Sequence, residues 1–254
     1  MSRPTTMNRS EFGASLAKEL LDLHYRAFGE FRSYAEKTGH TVPSDTKSTS
    51  EILVSLLTGI PGLVRRKGPD LEDGSEVKAA NAWSAIDKPR FNGCAPSGRV
   101  SETARRPDDL SAFDDVPHLF LVLWDERPPR GVPRCRVWAV SPRRDEAFRE
   151  VVGGWYELRR VGKVSRNFQL HPPINDDSNV IRSSFGNLEY PLLFSAEMRS
   201  GGFEVIRYEP SSSRPGSAPP LEPRSCARST GVDRAQLLTT LSDPVQRLPR
   251  RLAC

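Results

Sequence analysis

Apolar residues recur at steps of three and four between Ser10 and about Glu36: Phe12, Leu16, Leu20, Leu23, Ala27 and Phe31. This period marks one face of an amphipathic helix, with Ser10 as its N-cap. Lys37–Thr49 is polar and reads as a loop. Ser48-Thr49-Ser50-Glu51 then matches a capping box and opens a second helix through Ile52–Leu57. Gly59-Ile60-Pro61-Gly62 ends that helix. Short strand-like segments follow at Leu63–Lys67, Asp70-Leu71 and Ser75–Ala80, and the polar stretch Asp87–Asp115 reads as loop and irregular structure. Pro117–Asp125 is apolar almost throughout, as in a buried strand. A Pro-rich turn, Arg127–Gly131, joins it to Arg134–Val140, where Cys135, Val137 and Ala139 alternate with Arg134, Arg136 and Trp138; the two read as a hairpin. Asp145–Arg160 predicts a helix, and the chain from there to Pro210 reads as less regular.

The last 45 residues differ in kind. Ser211-Ser212-Ser213, Pro219-Pro220 and repeated Arg and Pro leave little to bury, so residues 210–254 are expected to be a disordered tail. The expected division is an N-terminal helical region at 1–47, a central domain at 48–209, and the tail.

Composition narrows the class of protein. A chain of 254 residues, 37% hydrophobic and 27% charged, suits a soluble domain with decorations. Its longest strongly apolar run, His118–Trp124, is far too short to cross a bilayer, and Met1–Phe12 lacks the apolar core of a signal peptide. A cytoplasmic location is therefore the expectation. Cys94, Cys135, Cys226 and Cys254 form no close pair, which argues against structural zinc. The net charge of +5 looks like a nucleic-acid signature, but from Pro210 onward seven Arg stand against three acids, or +4. The other 209 residues carry only +1, so basicity says little about the central domain.

The chemistry lies in Gly68-Pro69-Asp70-Leu71-Glu72-Asp73-Gly74-Ser75-Glu76-Val77-Lys78. Phosphodiester cleavage needs a hard cation, and hard cations take carboxylate oxygens. A lysine beside them can orient the attacking water and offset developing charge. Glu76 and Lys78 are two apart, so on a strand they share a face while Val77 takes the other. Asp70 reaches that face if Glu72-Asp73-Gly74 is a three-residue loop with Gly74 left-handed, because Leu71 then opposes Ser75 and Asp70 opposes Glu76. A two-residue turn would put Asp70 on the wrong face. The competing reading is a set of solvated charges on an edge hairpin.

Pro69-Asp70 followed by Glu76-Val77-Lys78 resembles the signature of the PD-(D/E)xK nuclease superfamily, which includes most type II restriction endonucleases. The resemblance spans roughly Ser48 to Val140. It implies an α/β fold with a restriction-endonuclease-like core, a central mixed β-sheet flanked by helices. It further implies Mg2+ held by Asp70 and Glu76 with the Val77 carbonyl, and Lys78 assisting the water. The Asp-to-Glu gap is at the short end for the superfamily. Glu51 has two readings, a further metal ligand from the preceding helix or the capping-box partner of Ser48. Glu72 and Asp73 read as turn residues. The stretch from Ser75–Ala80 to Gly186–Pro191 is similar to small type II restriction enzymes of the MamI group.

The implied activity is Mg2+-dependent hydrolysis of double-stranded DNA at a specific sequence, leaving 5′-phosphates, by a homodimer. Alternatives are a repair or Mrr-like nuclease with the same centre, and a non-catalytic DNA-binding protein on a nuclease scaffold. Candidate DNA contacts are Arg65, Arg66 and Lys67 before Asp70, and Asn81, Lys88, Arg90 and Asn92 after the Glu76 strand. Arg159, Arg160, Lys163, Arg166 and Asn167 form a second polar, basic cluster, and Asn167–Pro173 resists assignment. His118, at the mouth of a buried strand, reads as structural.

Overall fold

The structure, a computed structural model, describes residues 9–39, 45–63, 68–83, 85, 88–96, 100–101, 104–105 and 109–210. The expected tail, apart from its first residue, lies outside them, as do Arg65, Arg66 and Lys67. Helices α1 (Arg9–Thr38) and α2 (Lys47–Thr58) precede strands β1 (Glu76–Asn81), β2 (Phe91–Asn92), β3 (Val100–Ser101) and β4 (Ala104–Arg105). After β5 (Leu119–Arg127) and β6 (Val132–Val140) come α3 (Glu146–Arg160) and β7 (Gln169–Leu170). Strands β8 (Val180–Ser183), β9 (Gly186–Glu189), β10 (Leu192–Arg199) and β11 (Gly202–Tyr208) complete the order.

Five strands form a mixed sheet in the order β1-β5-β6-β10-β11, with β1 parallel to β5 and the other neighbours antiparallel. Helices lie on both faces, the α/β arrangement expected from the sequence. Phe120, Val122 and Trp124 of β5 point to a core shared with Leu21 of α1 and Leu53, Val54 and Leu57 of α2. The intervening Leu119, Leu121 and Leu123 point to Phe148, Val152 and Trp155 of α3. Burial on both faces is why this strand shows no polar alternation. The expected β5–β6 hairpin forms, in register from Leu119–Val140 to Arg127–Val132. Asp145 caps α3, its side chain accepting from the Phe148 amide at 3.0 Å.

Two expectations fail. The chain after Arg160 is not irregular, because β10 and β11 extend the central sheet. Their period-two pattern is broken by register shifts between Leu192 and Phe194 and between Ser195 and Ala196, which hides the strands from a reading based on alternation. The expected strand at Leu63–Lys67 lies, apart from Leu63, outside the described residues, and at Asp70-Leu71 no strand forms: Leu71 makes an isolated bridge to Gly62.

Arg134 and Arg136 of β6 do not face solvent. Both are almost fully buried, and both bind the fully buried Asp125. Asp125 accepts from Arg134 Nε at 2.8 Å, Arg134 Nη2 at 3.0 Å, Arg136 Nη2 at 3.0 Å and the Asn175 amide at 3.0 Å. The same guanidinium groups reach the carbonyls of Pro173, Asp176 and Ser178, so this network fastens the 173–178 loop to the sheet. Removing one partner of a buried ion cluster leaves the rest uncompensated. Asp125→Ala is therefore expected to lower stability by about 3–5 kcal/mol, read from the midpoint of chemical denaturation; a loss well under about 1 kcal/mol would show that the cluster is dispensable.

Candidate active site

Among the described residues β1 lies at the edge of the sheet, with β5 as its one ladder neighbour. The Glu76 amide donates to the His118 carbonyl at 3.0 Å, which starts the parallel ladder. Strand alternation then sends the Val77 side chain into the α1/α2 core and aligns Glu76 and Lys78 with Ala80, which packs in the α3 core. Glu76 and Lys78 line a small cavity of about 70 Å³ with Cys94 and Phe113. Lys78 Nζ stands 2.8 Å from Glu76 Oε2, and both side chains are partly shielded.

The loop before β1 has the expected length, but the pairing beyond it differs. Gly74 N donates to Leu71 O at 3.1 Å and Leu71 N to Ser75 O at 3.1 Å, closing a three-residue loop over Glu72-Asp73-Gly74. Gly74 adopts φ +93°, and an added Cβ would meet the Asp115 carbonyl at 3.1 Å, so glycine is required twice over. Asp73 serves the turn, accepting from the Ser75 amide and hydroxyl at 2.9 Å each. Asp70 does not go on to oppose Glu76. Its amide also donates to Ser75 O, at 3.2 Å, while Glu76 has turned to β5. Asp70 instead reaches the free edge of β1, where its Oδ2 accepts from the Val77 amide at 2.8 Å. The two carboxylates therefore approach from the edge and from a face of one strand, not from opposed strands.

α2 brings a further pair. The capping box does not form: the N-cap is Thr46, which makes no side-chain cap bond, and the helix begins at Lys47. Starting before Ser48 leaves Glu51 one turn from Lys47, and their side chains meet at 3.0 Å. Lys47 Nζ also lies 3.8 Å from Asp70 Oδ1. Its pKa is raised, first by the contact with Glu51 and further by the charges of Asp70 and Glu76, against a smaller opposing effect of burial. Buried Glu51 Oε1 receives no well-directed hydrogen bond. The helix is held against the sheet by Trp124 Nε1, which donates to the buried Ser50 hydroxyl at 2.9 Å.

By donor type, Glu51, Asp70 and Glu76 suit a hard cation, and the Lys47 ammonium already sits among them as a positive charge. They do not form a closed ligand set: among the described residues no three His, Cys, Asp or Glu side chains are grouped closely enough to hold a metal ion. Lys47 escaped sequence reasoning because Asp45-Thr46-Lys47 sits in a Ser/Thr-rich stretch. The available signal was its i,i+4 spacing from Glu51.

The remaining candidates divide. Asn81 ends β1 and accepts from the Trp83 amide through Oδ1 at 2.8 Å, a local structural role. Lys88, Arg90 and Asn92 are exposed. Arg159, in the second basic cluster, lies over the Trp155 ring at 5.2 Å. Among the described residues no helix is long and apolar enough to cross a membrane.

Residues 33–202 match the family model of the MamI restriction endonuclease. The chain belongs to this family. Over 194 residues it is 33% identical to the type II restriction enzyme MamI of Microbacterium ammoniaphilum, covering 70% of this chain and 62% of that enzyme. The chain thus spans less than two thirds of the length of this curated relative. No solved structure matches. The region matched to the MamI family contains Lys47, Glu51, Asp70, Glu76 and Lys78 together.

His118 is buried and stacks on Phe120 with ring centroids 5.4 Å apart, and its Nδ1 has no hydrogen-bond partner among the described residues. Burial holds the pKa of His118 and of His24 below the ordinary 6.5. Below that value the unfolded chain takes up protons that the native state resists, so stability present above it is lost as the pH falls toward the lowered native values. The melting temperature is expected to drop between about pH 7.5 and about pH 5.5, and to drop less in His118→Gln. Superimposable profiles for the two proteins would remove His118 from this account.

Proposed function

We propose that this chain is a type II restriction endonuclease that hydrolyses double-stranded DNA at a specific sequence, with Mg2+ as its metal. The observation that carries the reading is the convergence of Asp70, Glu76 and Lys78 on one edge strand, with Glu51 and Lys47 beside them, inside the region matched to a restriction-endonuclease family.

Asp70 and Glu76 would hold the ion, with Glu51 and the Val77 carbonyl as further oxygen donors. Bound there, Mg2+ would neutralise phosphate charge and lower the pKa of a water. The chain's own residues orient the reaction. The Val77 amide fixes one oxygen of Asp70 and leaves the other available. In a strand the N–H and C=O of one residue point to the same side, so the Val77 carbonyl faces the same free edge as Asp70. Lys78, held at 2.8 Å from Glu76, is placed to position the attacking water and to stabilise charge building on the phosphate oxygens. Attack at phosphorus leaves a 5′-phosphate. Cleavage of both strands at a symmetric site calls for a homodimer, and a cytoplasmic location suits such an enzyme.

Plasmid digestion with Mg2+ is expected to yield discrete bands, whereas a smear or nicks would favour a repair-type nuclease. Asp70→Ala, Glu76→Ala and Lys78→Ala should each slow cleavage by at least about 10²-fold with unchanged circular dichroism. Cleavage within a few-fold of the parent in any of the three would sink that residue's role. Glu51→Gln should leave the fold intact and raise the Mg2+ concentration needed for half-maximal cleavage, whereas an unchanged requirement would return Glu51 to a purely structural pairing with Lys47.

A further inference from the structure

Strands β2 and β7 pair antiparallel, Phe91 opposite Leu170 and Asn92 opposite Gln169. Phe91 and Leu170 are both fully buried in the α3 core, so strand alternation turns Asn92 and Gln169 to the outer face. There the polar side chains form one network. Asn92 Oδ1 accepts from Gln169 Nε2 at 3.0 Å and from Asn167 Nδ2 at 3.2 Å. Gln169 Oε1 accepts from Arg90 Nη1 at 3.3 Å, and Asn167 Oδ1 accepts from the Gly93 amide at 2.9 Å.

Two obligate donors set the direction of every amide in this network. The Gly93 N–H, shared between Phe168 O at 3.1 Å and Asn167 at 2.9 Å, faces an oxygen and not a nitrogen of Asn167, which turns the Asn167 nitrogen toward Asn92. The Arg90 guanidinium requires the Gln169 oxygen, which turns the Gln169 nitrogen toward Asn92 as well. Each of the three amide oxygens accepts at least one bond, Asn92 Oδ1 accepting two, and the groups the patch offers outward are mainly donors: Asn92 Nδ2 and the remaining N–H groups of Gln169 and Arg90. The patch is also electropositive, since the positive charges of Lys88 and Arg90 add to burial in lowering the His171 pKa. Its position relates it to the catalytic strand: Gly93 and Cys94, directly after Asn92, line the cavity that holds Glu76 and Lys78.

A rigid, positively charged set of N–H donors beside a phosphodiester-cleaving centre fits the acceptor-rich edge of purines in the DNA major groove, N7 of either purine and O6 of guanine. We propose that Arg90, Asn92 and Gln169, oriented by Asn167, are specificity-determining residues that read purine acceptors next to the cleaved bond. This rests on the nuclease reading for its substrate, but its test does not require cleavage.

The test is selection of bound duplexes from a random library by the full chain, with calcium in place of magnesium, followed by affinity measurements on the enriched sequence. The parent protein is expected to enrich a defined sequence containing purines and to bind it at least about tenfold more weakly when those purines are replaced by their 7-deaza analogues. Arg90→Ala and Asn92→Ala, both at exposed positions, should keep the parent's melting temperature, enrich a sequence degenerate at those purines, and show little further loss with 7-deaza DNA. Gln169→Ala should behave likewise, and Gln169→Asn should not restore the preference. Variants that enrich the parent's sequence unchanged would overturn the proposal. So would an equal loss of affinity for all duplexes with a shallower salt dependence, the mark of phosphate contacts. A parent that enriches a sequence but cuts no DNA with magnesium would refute the catalytic reading and leave this one standing.

Discussion

The parallel pairing of β1 with β5, in register from Glu76–Leu119 to Asn81–Trp124, is the constraint on which the site depends. It makes β1 an edge strand, and an edge strand faces three ways. One row of side chains enters the α1/α2 core through Val77, and the other carries Glu76 and Lys78 to the cavity beside α3. The third direction is the free backbone edge, where an unpaired amide needs a partner. Asp70 supplies it through the Val77 amide, and the hydrogen bond that quiets the edge also draws a carboxylate to the start of the strand. A slip of one residue in this register would exchange Val77 with Glu76 and Lys78 and bury two charges.

The two charged clusters of the domain show how differently the same ingredients can be arranged. Asp125 is fully buried and accepts four hydrogen bonds, from two arginines and a backbone amide. It has no capacity left for a ligand, and its work is to tie a loop to the sheet. Around Lys47 the balance is reversed, with Glu51 and Asp70 in contact with one partly exposed ammonium and Glu76 acting on it electrostatically. Asp125 is neutralised within the chain, whereas the acids around Lys47 come from α2, the loop before β1 and β1 itself and form no closed ligand set among the described residues.

Long-range pairing also assembles the polar outer patch. Asn92 and Gln169 belong to segments separated by β5, β6 and α3, and each contributes to a two-residue strand. Apolar anchors at Phe91 and Leu170 bring them together, while the backbone amide of Gly93 sets the orientation of the amides above. Short segments of this kind contribute little regular structure, yet they carry exposed groups on a backbone whose position is set by the core.

Much of this was legible in the residues. The three helices, the β5–β6 hairpin, the three-residue loop at Glu72-Asp73-Gly74 and the shared face of Glu76 and Lys78 all follow from local periodicity and turn chemistry, which act over a few residues. The site was legible as a motif but not as a geometry. Asp70 was expected to oppose Glu76 in a hairpin, but at the edge of β1 away from β5 its side chain, not a paired strand, meets the Val77 amide. The bulged β10 was misread, and the burial of Arg134 and Arg136 was not legible, since what covers a strand is decided by segments far away in the chain. The sequence by itself determined the three helices, the β5–β6 hairpin and which face of β1 bore the charges, because those depend on φ/ψ preference and side-chain alternation. Only the tertiary structure decided that Asp70 reaches the Val77 amide at the edge of β1, with Lys47 and Glu51 brought in from α2, because the partner of an edge amide is chosen by packing and not by spacing.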